Sequence, residues 1–112
     1  QGGKILYGGK TLEDKFPGGH YVLPTIVEID QKTAPIVKEE LFMPILYVIK
    51  IKSFEEAIEL NNSVPQGLSS TLFTNDIKKV FKWIGPHGSD CGIVNVNIGT
   101  SGAEIGGKLI PL

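Results

Sequence analysis

Residues 45–51 run ILYVIKI and are followed, after Lys52, by Ser53-Phe54-Glu55-Glu56. An almost wholly apolar run of this length is what a strand needs when both of its faces are buried in a parallel sheet. Ser-x-x-Glu is a capping box: the Ser hydroxyl accepts the amide three residues on, and the Glu reaches back. Phe54, Ala57 and Ile58 then recur at helical spacing, which predicts an amphipathic helix ending near Asn61, before Pro65 and Gly67. Residues 68–74 (LSSTLFT) return as a strand. Asn75 or Asp76 can cap a second helix, whose stripe Ile77, Val80, Phe81 and Ile84 leaves Lys78, Lys79 and Lys82 on the wet side. Gly85-Pro86 stops that helix, and residues 91–96 (CGIVNV) read as a third buried strand. The order strand, helix, strand, helix, strand, with connections of crossover length, predicts an α/β fold. Its three strands are expected to be parallel, joined by right-handed crossover helices.

Upstream, Gly-Gly recurs at 2–3, 8–9 and 18–19, so Ile5-Leu6-Tyr7 reads as a short strand between turns. Residues 21–29 (YVLPTIVEI) look extended, with Pro24 marking an edge or a break. Residues 32–40 read as loop with a short helical turn around Pro35. The chain has 112 residues, about one small domain. Its mean hydropathy of +0.08 suggests surface meant to be covered by further sequence. An N-terminal Gln1 in place of Met suggests a processed, engineered or fragmentary chain.

Composition excludes several function classes. Eleven Lys plus Arg against twelve Asp plus Glu give a net charge of −1, with no basic surplus for nucleic acid. No apolar run approaches the roughly 18 residues of a membrane span. The single Cys91 makes neither an internal disulfide nor a multi-Cys zinc site, which points to a reducing compartment, the cytoplasm by default. No His-x-x-x-His or Glu-x-x-His pair suggests a metal. His20 and His87 stand in Gly/Pro loops and read as surface residues. Cys91 has Asp90 beside it, and a neighbouring carboxylate opposes thiolate chemistry; it reads as a small buried hydrophobe.

Two places remain open to function. In α/β sheets ligands bind beyond the carboxyl ends of strands, here near Ser53, Thr74-Asn75 and Val96-Asn97. The segment after the third strand, NVNIGTSGAEIGG, has glycines at 99, 102, 106 and 107, whose amides can hold a carboxylate or oxyanion; equally, it can be a flexible connector. No nucleotide fingerprint occurs in it. The second place is Glu39-Glu40-Leu41-Phe42-Met43-Pro44. A carboxylate there can accept two hydrogen bonds from a ribose diol, with Phe42 facing the same ligand; alternatively this is a solvated acidic loop packed by one Phe.

Glu40-Leu41-Phe42-Met43-Pro44 resembles the Glu-x-Phe-x-Pro motif of the aldehyde dehydrogenase superfamily. The course of ILYVIKIKSFEEAIELNNSVPQGLSSTLFTND, and upstream GGHYVLPTIV, resemble that family too. GSDCGIVNVNIGTSGAEIGG is very like its antiquitin branch, the α-aminoadipic semialdehyde dehydrogenases. The resemblance covers residues 1–107 and implies part of an aldehyde dehydrogenase catalytic domain, with residues 97–112 an anchor loop and tail. It implies oxidation of an aldehyde to an acid with NAD as cofactor. α-Aminoadipic semialdehyde is the favoured substrate, betaine aldehyde and other toxic aldehydes the alternatives. By the same resemblance Glu40 holds the hydroxyls of the nicotinamide ribose and Phe42 lies against the ring or its ribose. Gly102 and Ala103, with Ser101 beside them, match the loop whose amides bind the far carboxylate of a semialdehyde.

The resemblance also implies what is missing. The family's nucleophilic Cys, its general-base Glu and most of its cofactor domain lie upstream of this stretch, and Cys91 does not match the nucleophile. After Gly107 the family continues Ala-Phe-Gly-Gly, whereas here Lys108-Leu109-Ile110-Pro111-Leu112 follows, which reads as a premature end or a read-through artefact. Family members are commonly homotetramers. The isolated chain is therefore expected to be inactive, and the alternative reading is a truncated product that docks on full-length subunits or does nothing.

Overall fold

The computed structural model describes residues 2–30 and 34–101, and the chain divides into two compact units, Gln1–Ile51 and Lys52–Leu112. The first unit holds strands β1 (Lys4–Tyr7), β2 (Thr25–Glu28) and β3 (Ile45–Val48) in one sheet, in that order. β1 runs antiparallel to β2, with an irregularity between Ile5 and Tyr7. β2 and β3 are parallel, in register from Thr25 opposite Ile45 to Glu28 opposite Val48. The β-branched run Thr25-Ile26-Val27 suits a pleated surface, and β2 begins directly after Pro24, the break that residue predicts. A 3-10 turn, Pro35–Lys38, lies on the path from β2 to β3; Pro in its first turn gives up only an amide that would be unpaired anyway. Ile29 and Ala34 are the buried apolar residues of this unit. A Lys50 Nζ to Glu28 Oε1 ion pair of 2.7 Å closes the sheet's far end.

The second unit holds helix α1 (Phe54–Asn61), strand β4 (Ser69–Leu72), helix α2 (Ile77–Ile84) and strand β5 (Ile93–Val96). β4 and β5 are parallel, paired from Ser69 opposite Ile93 to Leu72 opposite Val96, and α2 is their crossover. Ser53 caps α1 by accepting from the Glu56 amide at 3.1 Å. Glu56 reaches back one residue further than a standard capping box, accepting from the Lys52 amide at 2.6 Å. Of the two candidate caps for α2, Asp76 serves, accepting from the Lys78 amide at 2.9 Å. Ile58 and Trp83 are the buried apolar residues among those described here, and Trp83 packs on Phe54 with ring centroids 6.1 Å apart.

The α/β class stands, with parallel pairs and two helices, but the ladders divide differently from a single run of three strands. β3 pairs with β2, while β4 and β5 make a sheet of two. A parallel pair needs only a crossover long enough to return, and the stretch carrying the 3-10 turn is long enough for β3 to return to β2. Burial also departs from expectation. In β3 only alternate residues are covered, Leu46 remaining 60% exposed. In α2 the buried residue is Trp83, while Ile77, Phe81 and Ile84 of the predicted stripe stay more than half exposed. Periodicity finds apolar faces, and this helix has two; the large indole, with more area to remove from water, takes the inside within this unit.

Candidate functional site

Glu40 and Phe42 share the segment that enters β3. Before them, Glu39 ends the 3-10 turn in an extended conformation, its amide donating to the Ile36 carbonyl. After them, the Thr25 amide donates to the Pro44 carbonyl at 2.8 Å, and the Ile45 amide to the Met43 carbonyl at 2.8 Å. Thr25 is itself fixed: its hydroxyl accepts from the Gly9 amide and donates to the Leu23 carbonyl, both at 2.9 Å. The segment is thus held at both ends by backbone hydrogen bonds.

Between those ends, the two side chains are left unengaged by the described residues of this unit. Glu40 is exposed, and among the described residues its carboxylate has no hydrogen-bond or ion-pair partner. Phe42 is 91% exposed and has φ +50°. A bulky side chain at positive φ is an outlier, and such strain gathers at ligand sites. An exposed carboxylate offers both oxygens to paired hydroxyls, and an unpacked ring offers its face to another flat group. Both fit the nicotinamide ribose expected there.

In the second unit, the residues after β5 are held from β4. Asn97 has φ +56°. Its side-chain Nδ2 donates to the Thr74 carbonyl at 2.9 Å and its side-chain Oδ1 accepts from the Thr74 backbone amide at 2.8 Å. The Thr71 hydroxyl donates to the Ile98 carbonyl at 2.5 Å. Ser101, exposed, follows three residues after Ile98. Gly102 and Ala103, the rest of the expected carboxylate-binding loop, lie outside the described residues, as does the tail Lys108 to Leu112. Asn97 escaped the sequence reading as an individual residue; the signal was its place at a strand's carboxyl end, where Asn tolerates a left-handed turn.

A second polar group was also missed. Asn62 donates to the Gly88 carbonyl at 2.8 Å and accepts from the Asp90 amide at 2.9 Å, while Asn61 donates to the Ser89 hydroxyl at 3.0 Å. The Asn-Asn pair at the C-terminal end of α1 thus pins the loop that leads into β5. A side chain at Gly88 would run into the Trp83 carbonyl, so this turn admits glycine alone. Cys91 is half-buried beside Asn62, Gly67 and Asp90, around a recess of about 190 Å³. His20 and His87 are exposed. Among the described residues no group of three His, Cys, Asp or Glu could hold a metal. Among the described residues, the carboxyls held below their ordinary value are Glu28, through its hydrogen bond with Lys50, and Glu55, through its hydrogen bond with Lys82. Neither belongs to the segments above.

A model of the aldehyde dehydrogenase family matches residues 1–107. The chain is 67% identical over 107 residues to aldehyde dehydrogenase family 7 member A1 of Malus domestica, covering 96% of this chain and 20% of that protein. It is 59% identical over 107 residues to the α-aminoadipic semialdehyde dehydrogenase of Rattus norvegicus, covering 96% of this chain and 19% of that one. It spans about a fifth of the length of the curated relatives it matches. Among solved structures, PnpE from Pseudomonas sp. WBC-3 superposes with a TM-score of 0.78 at 35% identity, over 89% of this chain and 20% of that one. PnpE in complex with nicotinamide adenine dinucleotide does so with a TM-score of 0.78 at 36% identity, over the same shares.

Proposed function

The chain belongs to the aldehyde dehydrogenase family, and from that premise we propose that it supplies part of the cofactor site and part of the substrate pocket of an NAD-dependent enzyme that oxidises an aldehyde to its carboxylic acid. The observation that carries this reading is the Glu40-x-Phe42 segment, fixed at both ends yet leaving its acid and its ring exposed. Glu40 accepts hydrogen bonds from the nicotinamide ribose hydroxyls, and Phe42 lies against the ring or its ribose. NAD, when bound, supplies the hydride acceptor. Ser101, Gly102 and Ala103 bind the far carboxylate of a semialdehyde. The likeness to family 7 relatives, α-aminoadipic semialdehyde dehydrogenases among them, supports a substrate of that kind.

The nucleophilic thiolate and the general base belong to other parts of the whole enzyme, which we take to be a cytoplasmic homotetramer. The 112-residue chain alone turns over no aldehyde, because orientation and electrostatics cannot act without a nucleophile. The test measures reduced cofactor formed from NAD and α-aminoadipic semialdehyde by the full-length enzyme carrying this stretch, by its Glu40→Gln variant, and by the 112-residue chain. The reading requires turnover by the first, a raised KM for NAD in the second, and none above a protein-free control in the third. A full-length enzyme without NAD-dependent turnover, or an unchanged KM in Glu40→Gln, rejects it.

A further inference from the structure

β4 and β5 pair as far as Leu72 opposite Val96. One residue further, the Asn97 amide donates to the Leu72 carbonyl at 2.8 Å, and then the backbone turns away at φ +56°. At that turn the Asn97 side chain takes over from the backbone. It meets both the amide and the carbonyl of Thr74, at 2.8 and 2.9 Å, as a neighbouring strand would. The Thr71 hydroxyl adds a bond to the Ile98 carbonyl. Beyond that last backbone bond, Asn97 and Ile98 are therefore still tied to β4 and the residues just after it by side-chain bonds. All three bonds are exposed, so their contribution to stability is modest. What they determine is direction: where the chain points as it reaches Gly99, Thr100 and Ser101.

We infer that Asn97, assisted by Thr71, is a positioning residue for substrate selection, holding the segment through Ser101 in the course that meets the far carboxylate of a semialdehyde. This rests on the proposed role of that loop. The Asn97 side chain is taken up by its bonds to Thr74, so it acts through the loop, and its effect belongs to the KM of carboxylate-bearing aldehydes and not to kcat. The residue type suits the role: glycine can adopt the turn but makes neither bond, and aspartate keeps the acceptor but turns a like charge on the Thr74 carbonyl.

The experiment compares α-aminoadipic semialdehyde with propanal, which lacks the second carboxylate, in the full-length enzyme carrying this stretch. The variants are Asn97→Gly, which keeps the left-handed backbone, and Thr71→Val, which removes only the bond to Ile98. For Asn97→Gly the expected result is a KM about tenfold higher for the semialdehyde, the loss of roughly two net hydrogen bonds' worth of positioning. Its kcat, its KM for NAD and its KM for propanal stay at parental values. Thr71→Val moves the same quantity the same way, by less, and covers the case in which Asn97→Gly does not fold. Equal changes for both aldehydes, or none in either variant, overturn the inference. A parent that does not prefer the semialdehyde over propanal removes the reading of the loop itself, and the inference with it.

Discussion

Phe42, just before β3, and Asn97, just after β5, sit at nearly the same backbone angle, φ +50° and +56°. Their surroundings differ. Asn97 turns its side chain inward, onto the backbone of Thr74, so its local bonds offset the unfavourable turn. Phe42 makes no such return, and its ring stays 91% exposed. A left-handed non-glycine residue costs about 1–2 kcal/mol. At β5 the fold offsets that cost within its own unit; at β3 the unit bears it while leaving an aromatic face in the open. The first pattern is that of a structural latch, the second that of a surface kept for something else.

The largest expected effect separates binding from stability at the entrance to β3. Glu40→Ala raises the KM for NAD by roughly tenfold or more, as loss of hydrogen bonds to a charged acceptor predicts, and leaves the urea midpoint unchanged. At the exit of β5 stability responds modestly: Asn97→Ala destabilises by about 1 kcal/mol, because it keeps the left-handed turn and loses both exposed side-chain bonds, whereas Asn97→Gly, which relieves the turn, destabilises by less. Urea unfolding of the pair isolates the strain. Phe42→Gly inverts the sign, raising stability by up to about 1 kcal/mol at the upper end of strain relief while weakening NAD binding. If Phe42→Gly destabilises, the ring is packing against something and the contrast collapses.

The smallest effect concerns pH. The Glu28 and Glu55 carboxyls are held below the ordinary value of 4.5 by Lys50 and Lys82. Their stabilisation is full above that unfolded value and is lost as pH falls through the lowered folded value. Both pairs are exposed, so acid titrations of Glu28→Gln and Glu55→Gln should depart from the parent only slightly, and only on the acid side.

Local signals survived best. The Ser53 cap, the Asp76 cap, the stop at Gly85 and the break at Pro24 are properties of single residues and their chain neighbours, and each appears where the sequence places it. Partnership between strands is not local. Residues 45–51 say that a strand is apolar, and cannot say whether β2 or β4 lies beside it. The same holds for α2, where two apolar faces compete and only the three-dimensional neighbours decide that Trp83 goes in. For the candidate site, Glu40 and Phe42 were proposed through their motif, and the structure adds only that both side chains are exposed. Asn97 was not legible, because its role lies in two bonds to a residue 23 positions away.

Trp83 is the chain's single tryptophan; it is 5% exposed, packed against Phe54 with the two rings tilted, and among the described residues its indole N–H has no acceptor. An indole shielded from water and unbonded emits at shorter wavelength than one in solvent. The packing of α2 on α1 therefore carries its own optical signal, and a red shift in emission would report the parting of these two helices without any label.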